Sequence, residues 1–220
     1  MQHSTAIISP DATVHETAII EPYAVIMGRS VIGPGAYIGA HATIGSPPQH
    51  HGSYPAPASS PRRECGVIVG ENACVREYAT IHQGVVQETI IAAGVLLMAG
   101  AHIAHDCEVG EDSTIGSFSA LGGFTIIDAR VTLGQGVITH PWTIIGEGAM
   151  IGLNSSVIRD VEPFAKVAGS PARILGTNTK RAPGADPDYS QAAFSEDVWD
   201  RWAILQASRE AARFAWSGVE

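Results

Sequence analysis

From Ile91 to Val157 an aliphatic side chain recurs at every sixth residue: Ile91, Leu97, Ile103, Val109, Ile115, Leu121, Ile127, Leu133, Ile145, Ile151 and Val157, with Thr139 the polar exception. Two positions before each of these stands a small, thiol or β-branched residue, as at Ala101, Cys107, Ser113, Ser119 and Thr125, and a glycine often follows, as at Gly110, Gly116 and Gly122. Neither the helical period nor the alternation of a strand generates such a spacing. A fixed short period is the mark of a solenoid, and hexapeptides are the mark of a parallel β-helix. Each hexapeptide supplies one short strand and one corner, so that three of them close a triangular coil. Successive coils then stack as parallel strands about 4.8 Å apart. Residues eighteen apart become vertical neighbours, which places side chains relative to one another before any coordinate is known.

The series starts at Ile8 and runs through Val14, Ile20, Ile26, Ile32, Ile38 and Ile44, with Ala18, Ala24, Ser30, Ala36 and Ala42 among the small residues. It stops at Gly45. Residues 46–66 carry five prolines and no period, the composition of a loop, and contain His50, His51, Arg62 and Arg63. An excursion this long from a solenoid corner is often functional, although a solvated loop explains it equally well. The series resumes at Val69, Val75 and Ile81, then slips by four residues across HQGVVQETI before Ile91. The periodic positions together predict about seven coils. Beyond Val157 the pattern decays, with Pro163 in the next periodic place. RAPGADPDYS (181–190) reads as a linker, and Ser195-Glu196-Asp197 as the cap and acidic first turn of a helix to about Trp216, ended by Gly218. Trp199, Trp202 and Trp216 on that helix suit docking onto the parent body or a neighbouring subunit. The expected organisation is therefore all-β: a parallel β-helix over 1–178, interrupted by the 46–66 excursion, followed by a linker and short helix over 179–220.

A hydrophobic content of 45% supplies ample core, and a formal charge of −9 with no basic cluster argues against a nucleic-acid surface. Cys65, Cys74 and Cys107 form no CxxC pair, as expected in a reducing compartment. The opening MQHSTAIISP has no signal-peptide character, and no apolar run approaches the ~20 residues of a membrane span. A cytoplasmic protein with no metal and no permanently bound cofactor is expected.

The chemistry concentrates in Ala101-His102-Ile103-Ala104-His105-Asp106-Cys107. Counting by eighteens puts Gly123 directly above His105 and Pro141 above Gly123. A glycine over a histidine leaves room for a substrate and bares a backbone N–H. A base beside an N–H donor is what acyl transfer requires, the imidazole taking a proton from the attacking group and the amide holding the oxyanion. His140 falls two coils higher, roughly 10 Å away, where it lines the same cleft. Asp106, Phe124 and Trp142 form the next column, with the two rings offering a wall for a sugar or acyl chain. A histidine that merely faces solvent or a subunit interface is the plainer alternative.

These residues carry a resemblance. LLMAGAHIAHDCEVG (96–110), with VREYATIHQG (75–84) and GSPARILGTN (169–178), resembles the acyl-[acyl-carrier-protein]–UDP-N-acetylglucosamine O-acyltransferases of lipid A synthesis, within the hexapeptide-repeat superfamily, over about residues 5–180. The likeness implies a left-handed β-helix and a homotrimer with active sites in clefts between subunits. It also implies that His105 is the general base, that the Gly123 N–H is the oxyanion donor, and that His102 and His140 contact a sugar substrate. By the same likeness Asn178 lies near the nucleotide or donor. Asp106 could orient the imidazole, although strand alternation would aim it away.

Departures from that pattern redirect the expectation. The 46–66 loop replaces an acidic and lysine-bearing substrate loop, and Phe124 stands where the family has a histidine. Leu153 stands at the glycine that admits long acyl chains, and the basic stretch after Asn178 is reduced to Lys180-Arg181. VAGSPARILG also resembles the closing segment of acetyl-CoA-dependent sugar acetyltransferases, in which an arginine such as Arg173 meets phosphate. The leading expectation is transfer of a short acyl group from acyl-CoA to a hydroxyl or amine of a sugar or nucleotide sugar, with Met150 and Leu153 limiting the chain. The same reaction from acyl carrier protein is the first alternative. A γ-carbonic-anhydrase-like zinc site using His82, His102 and His105 is another, and a scaffold with a blocked cleft the last.

Overall fold

The computed structural model describes residues 1–49, 65–182, 184–185, 187–188 and 195–216, with the side chains of Ala215 and Trp216 excepted. His50, His51, Arg62 and Arg63 lie outside the described residues, as does much of the 181–190 segment.

Each hexapeptide forms a two-residue strand and a corner, and the strands collect into three parallel faces of eight, seven and nine strands. The first face runs from Ile7–Ile8 through Thr80–His82, His102–Ile103, Ala120–Leu121 and Ile138–Thr139 to Ser156–Val157. The second includes Thr89–Ile91, Glu108–Val109, Ile126–Ile127 and Ile144–Ile145, and the third includes Thr114–Ile115, Met150–Ile151 and the closing pair Ala165–Gly169 and Ala172–Thr177. The result is a left-handed parallel β-helix of about eight turns, one more than the sequence period predicts. The difference comes from the closing strands Ala165–Gly169 and Ala172–Thr177, the first of which pairs with Met150–Ile151 although the hexapeptide spacing has already lapsed. Backbone pairing carries the coil one step beyond the hydrophobic pattern.

The periodic residues point inward and stack: Ile103 pairs with Leu121, Leu121 with Thr139 and Thr139 with Val157, each eighteen residues on. Ile20, Ile26, Ile32, Ile38, Ile44, Ile81, Ile91, Leu97, Ile103, Ile115, Leu121 and Ile127 are the largest fully buried side chains. Each such burial stabilises the fold by roughly 1.5–3 kcal/mol before the entropy of ordering is subtracted. The small residues two places earlier are buried as well, from Ala18 and Ala24 to Ala149 and Ser155, because each sits where the wall bends. The exception in the aliphatic series is satisfied locally. The Thr139 hydroxyl accepts from the Gly122 N–H at 3.1 Å and lies 2.9 Å from the Thr125 hydroxyl.

The four-residue slip is absorbed on one edge. Ile81 pairs with Ile103, twenty-two residues on, so 83–88 project from the corner between the first and second faces. The 46–66 excursion leaves from that same edge.

The α-helix Glu196–Trp216 begins and ends where the sequence places it, with Glu196 and Asp197 in its first turn. It packs on the second face of its own chain, Trp202 covering Ile126 and Ile144 with Trp199 and Leu205 beside it. Arg201 binds Asp128 and Arg209 binds Asp160, fixing the helix at two points. Among the described residues no helix is long and apolar enough to cross a membrane.

Candidate active site

The corner between the first and second faces carries His105, Gly123 and Pro141 in one column, as counting by eighteens requires. Asp106, Phe124 and Trp142 form the adjoining column, all three in the left-handed backbone region at φ of 60°, 60° and 67°. That conformation corrects the expectation for Asp106. His105 and Asp106 form a turn, so strand alternation does not apply, and the carboxylate folds back onto the preceding side chain.

The His105 Nδ1–H donates to Asp106 Oδ2 at 2.7 Å, with Asp106 fully buried and the imidazole side chain 12% exposed. A carboxylate only accepts, so the proton belongs on Nδ1 and the lone pair of the neutral ring on Nε2. Nε2 faces Gly123. A Cβ added there would stand 2.8 Å from Nε2 and 2.7 Å from Cε1, so the imidazole occupies the space that only glycine leaves. The Gly123 N–H donates to no acceptor among the described residues. Such an amide is usual at these corners; the glycine and the ring beside it are what distinguish this one.

His102 lies on the outer side of the first face, with Nδ1 2.8 Å from the Thr80 hydroxyl. Its ring meets that of His82 edge-on at 5.0 Å. The His82 Nδ1–H donates to the Pro47 carbonyl at 2.7 Å, tying the root of the 46–66 excursion to the site. Burial holds both rings below the ordinary imidazole range; His105 adds to the effect at His82, against the Pro47 bond, and His82 adds to it at His102. His82 is a site neighbour that the sequence suggested only as a metal ligand; its place at the start of the phase slip was the available signal. Among the described residues no three His, Cys, Asp or Glu side chains converge as metal ligands.

Phe124 is 4% exposed, with its edge to His105 at 5.4 Å and its face stacked on Trp142 at 3.7 Å. Arg213 of the helix lies over the Trp142 ring at 5.4 Å, and Arg209 donates to the Trp142 carbonyl. Of the pair expected to pack a sugar, Phe124 is buried and Trp142 is half-buried beneath Arg213 of the helix. His140 is exposed, its Nδ1–H donating to the Pro141 carbonyl at 2.9 Å. Asn178, expected beside a ligand, is buried instead and donates to the Gly148 carbonyl at 2.8 Å, because the closing hairpin folds it onto the body.

Met150 and Leu153, 40% and 69% exposed, lie on the third face and at the corner between the third and first faces. The prism separates that side from His105, so within one chain they cannot bound the same cleft. Arg173 is exposed on the last strand and lines a cavity of about 480 Å³ with Arg159, Glu162 and Val167 at the end of the prism. Arg159 continues the His105 column three coils up, roughly 14 Å away by strand spacing.

The coil, its period and this corner are shared with the hexapeptide-repeat acyltransferases, to which the chain is similar in sequence and in structure. The family model for bacterial transferase hexapeptide (six repeats) matches residues 11–46 and 88–123, the second stretch running from the phase slip to Gly123. Among particular proteins, the chain is similar to the acyl-[acyl-carrier-protein]–UDP-N-acetylglucosamine O-acyltransferase of Rhizobium rhizogenes (strain K84), 35% identical over 142 residues, 62% of this chain and 49% of the relative. The structure of a UDP-N-acetylglucosamine acyltransferase from Bacteroides fragilis 9343 superposes with a TM-score of 0.72 at 26% identity, covering 97% of this chain and 84% of that one. A shorter stretch is 43% identical over 51 residues to a probable macrolide acetyltransferase of Lysinibacillus sphaericus, 23% of this chain and 28% of the relative. The chain spans about half the length of the first of these curated relatives, and less of the second.

Proposed function

We propose that the chain is an acyltransferase moving a short acyl group from acyl-CoA to a hydroxyl or amine of a sugar or nucleotide sugar. The carrying observation is the His105 imidazole, held by buried Asp106 with Nε2 turned toward the side-chain-free Gly123. The acceptor O–H or N–H attacks the thioester carbonyl while Nε2 takes its proton, a contribution of about 10²–10⁴-fold. The new C–O or C–N bond leaves a tetrahedral oxyanion on which the Gly123 N–H is aimed. Collapse breaks the C–S bond, and the imidazolium returns the proton to the departing thiolate. Asp106 keeps the ring in the required tautomer throughout.

His102 and His140 bind the acceptor on the outer first face. Burial disfavours the charged form of both His82 and His102, so this region reads the substrate through hydrogen bonds rather than charge. The chain acts as a homotrimer: Met150 and Leu153 limit the acyl chain from the adjacent copy, whose exposed third face meets the His105 edge. Arg173 takes the phosphate end of the donor.

A carrier-protein donor is the second reading, favoured by the names of the longer relatives. Against it stand the charge of −9 and the commitment of Arg201 and Arg209 to aspartates of the same chain, which leaves that helix little to offer an acidic carrier. The test is thioester consumption across an acyl-CoA length series and the matching acyl carrier proteins, with UDP-N-acetylglucosamine and other nucleotide sugars as acceptors. Short acyl-CoA should support turnover and His105→Ala should abolish it. A His105→Ala protein retaining most of its kcat/KM overturns the assignment, and turnover from carrier protein alone selects the second reading.

A further inference from the structure

The period slips by four residues just before the candidate base, and the loop this makes stands against it. Relative to an uninterrupted series, the chain spends four extra residues between Ile81 and Ile91, and the loop they make closes over Asp106. Val86 N–H and Gln87 N–H donate to Asp106 Oδ1 at 2.7 and 2.9 Å, and Val85 N–H reaches both carboxylate oxygens at 3.1 and 2.9 Å. Three successive amides converging on one carboxylate form an anion-binding nest. The Gln87 side chain braces the arrangement, its Nε2 donating to the Asp106 carbonyl at 3.3 Å and to Glu108 Oε1 at 3.1 Å. From below, the Asp106 N–H donates to the Thr89 hydroxyl at 2.9 Å. The loop is closed tightly on itself: a Cβ on Gly84 would stand 1.5 Å from the Gln87 carbonyl oxygen and 3.2 Å from Asp106 Oδ1.

We infer that the 84–87 loop is a tautomer clamp, and that Gly84 and Gln87 are positioning residues for the His105 base. A buried carboxylate without such donors would neutralise or turn to find others. With three amides on it, the Asp106 carboxylate is fixed in orientation, and the remaining direction of Oδ2 takes the His105 Nδ1–H. Nε2 is thereby kept as the atom that receives the acceptor's proton. The slip supplies what a regular corner does not: three successive amides directed at one carboxylate. The catalytic consequence rests on the acyltransferase reading above, whereas the tautomer itself does not.

The test combines ¹⁵N NMR of the imidazole nitrogens with steady-state kinetics on the intact chain. The protein has nine histidines, so the His105 signals are assigned by their loss in His105→Gln. The native ring should show the neutral Nδ1–H tautomer. Gly84→Ala, which forces the loop open, should give a mixture of tautomers and a fall in kcat of about 10–100-fold, with the acceptor KM within about twofold. Gln87→Ala should move both readouts the same way by a smaller amount, and carries the test if Gly84→Ala does not fold. Asp106→Asn, whose carboxamide would keep its oxygen on the loop amides and turn its NH₂ to the ring, should move the proton to Nε2 and lower kcat by roughly 10²–10⁴-fold. A native ring protonated on Nε2 overturns the clamp. So does a folded Gly84→Ala or Gln87→Ala protein with the native tautomer and native kcat. Activity surviving in His105→Ala would instead remove the acyltransferase reading while leaving the NMR result in place.

Discussion

Gly123→Ala isolates the contact on which the candidate chemistry depends. The backbone at Gly123 needs no left-handed conformation, so alanine introduces no torsional strain and the effect is steric. The new methyl would lie 2.7 Å from His105 Cε1, 2.8 Å from Nε2 and 3.3 Å from Nδ1. Ordinary contact begins at about 3.4 Å, so the ring must give way by roughly 0.7 Å. It cannot swing aside cheaply, because Nδ1 is held by Asp106 and Asp106 by three amides. The methyl also fills the space from which a substrate would reach Nε2 and the Gly123 N–H. A misplacement approaching 1 Å costs about 10²-fold, or about 2.7 kcal/mol of barrier. Overpacking adds a stability loss of about 1–3 kcal/mol. The expectation is a folded protein with kcat reduced about a hundredfold, read by thioester consumption beside a denaturant melt. Gly122→Ala is the contrast: its methyl would meet the Pro141 backbone nitrogen at 2.6 Å and the Thr139 carbonyl at 2.9 Å, so it should damage stability first. A Gly123→Ala enzyme within threefold of native kcat would refute the reasoning, since it would mean that neither the ring position nor the open space matters.

Other consequences follow from the same geometry. Thr139→Val should lower unfolding free energy by about 0.5–1.5 kcal/mol despite its better fit to the aliphatic series, because two hydrogen bonds are lost while the Gly122 N–H keeps the Thr139 carbonyl and the Thr125 hydroxyl keeps the His140 carbonyl; urea denaturation measures it. Acidification should destabilise the fold through His82 and His102. Their folded pKa values are lowered by burial, so the unfolded chain takes protons first as the pH drops below about 6.5, and stability is lost from there down through the lowered folded values. In His82→Gln the slope of stability against pH between 7 and 5 should be shallower; an unchanged slope would show that His82 is not a source of it. Trp202→Ala should loosen the helix from Ile126 and Ile144 at a cost of about 3 kcal/mol, seen as an early helical transition in thermal circular dichroism that leaves the β signal in place.

The fold was legible because the six-residue period is local and repeats in every coil. Ile8 through Val157 declare their own inward direction, and pairing by parallel strands turns that direction into three faces. Even the site's column of His105, Gly123 and Pro141 came from arithmetic, since a solenoid converts sequence separation into height. What the period could not carry was the behaviour of its interruptions. Asp106 looked misdirected until the left-handed corner turned it toward His105, and HQGVVQETI was only a slip in phase until its amides met a carboxylate some twenty residues later in the chain. Phe124 and Trp142 were correctly stacked, yet only the docked helix shows Arg209 and Arg213 reaching Trp142. Asn178 was drawn into the body by the closing hairpin, and the prism stands between Leu153 and His105 within one chain. A repeating pattern of hydrophobic burial specifies its structure one coil at a time, so sequence suffices for it. Hydrogen bonds between an insertion and a corner, and the covering of one face by a distant helix, depend on which surfaces remain once the coils have formed, and only the tertiary structure decides that.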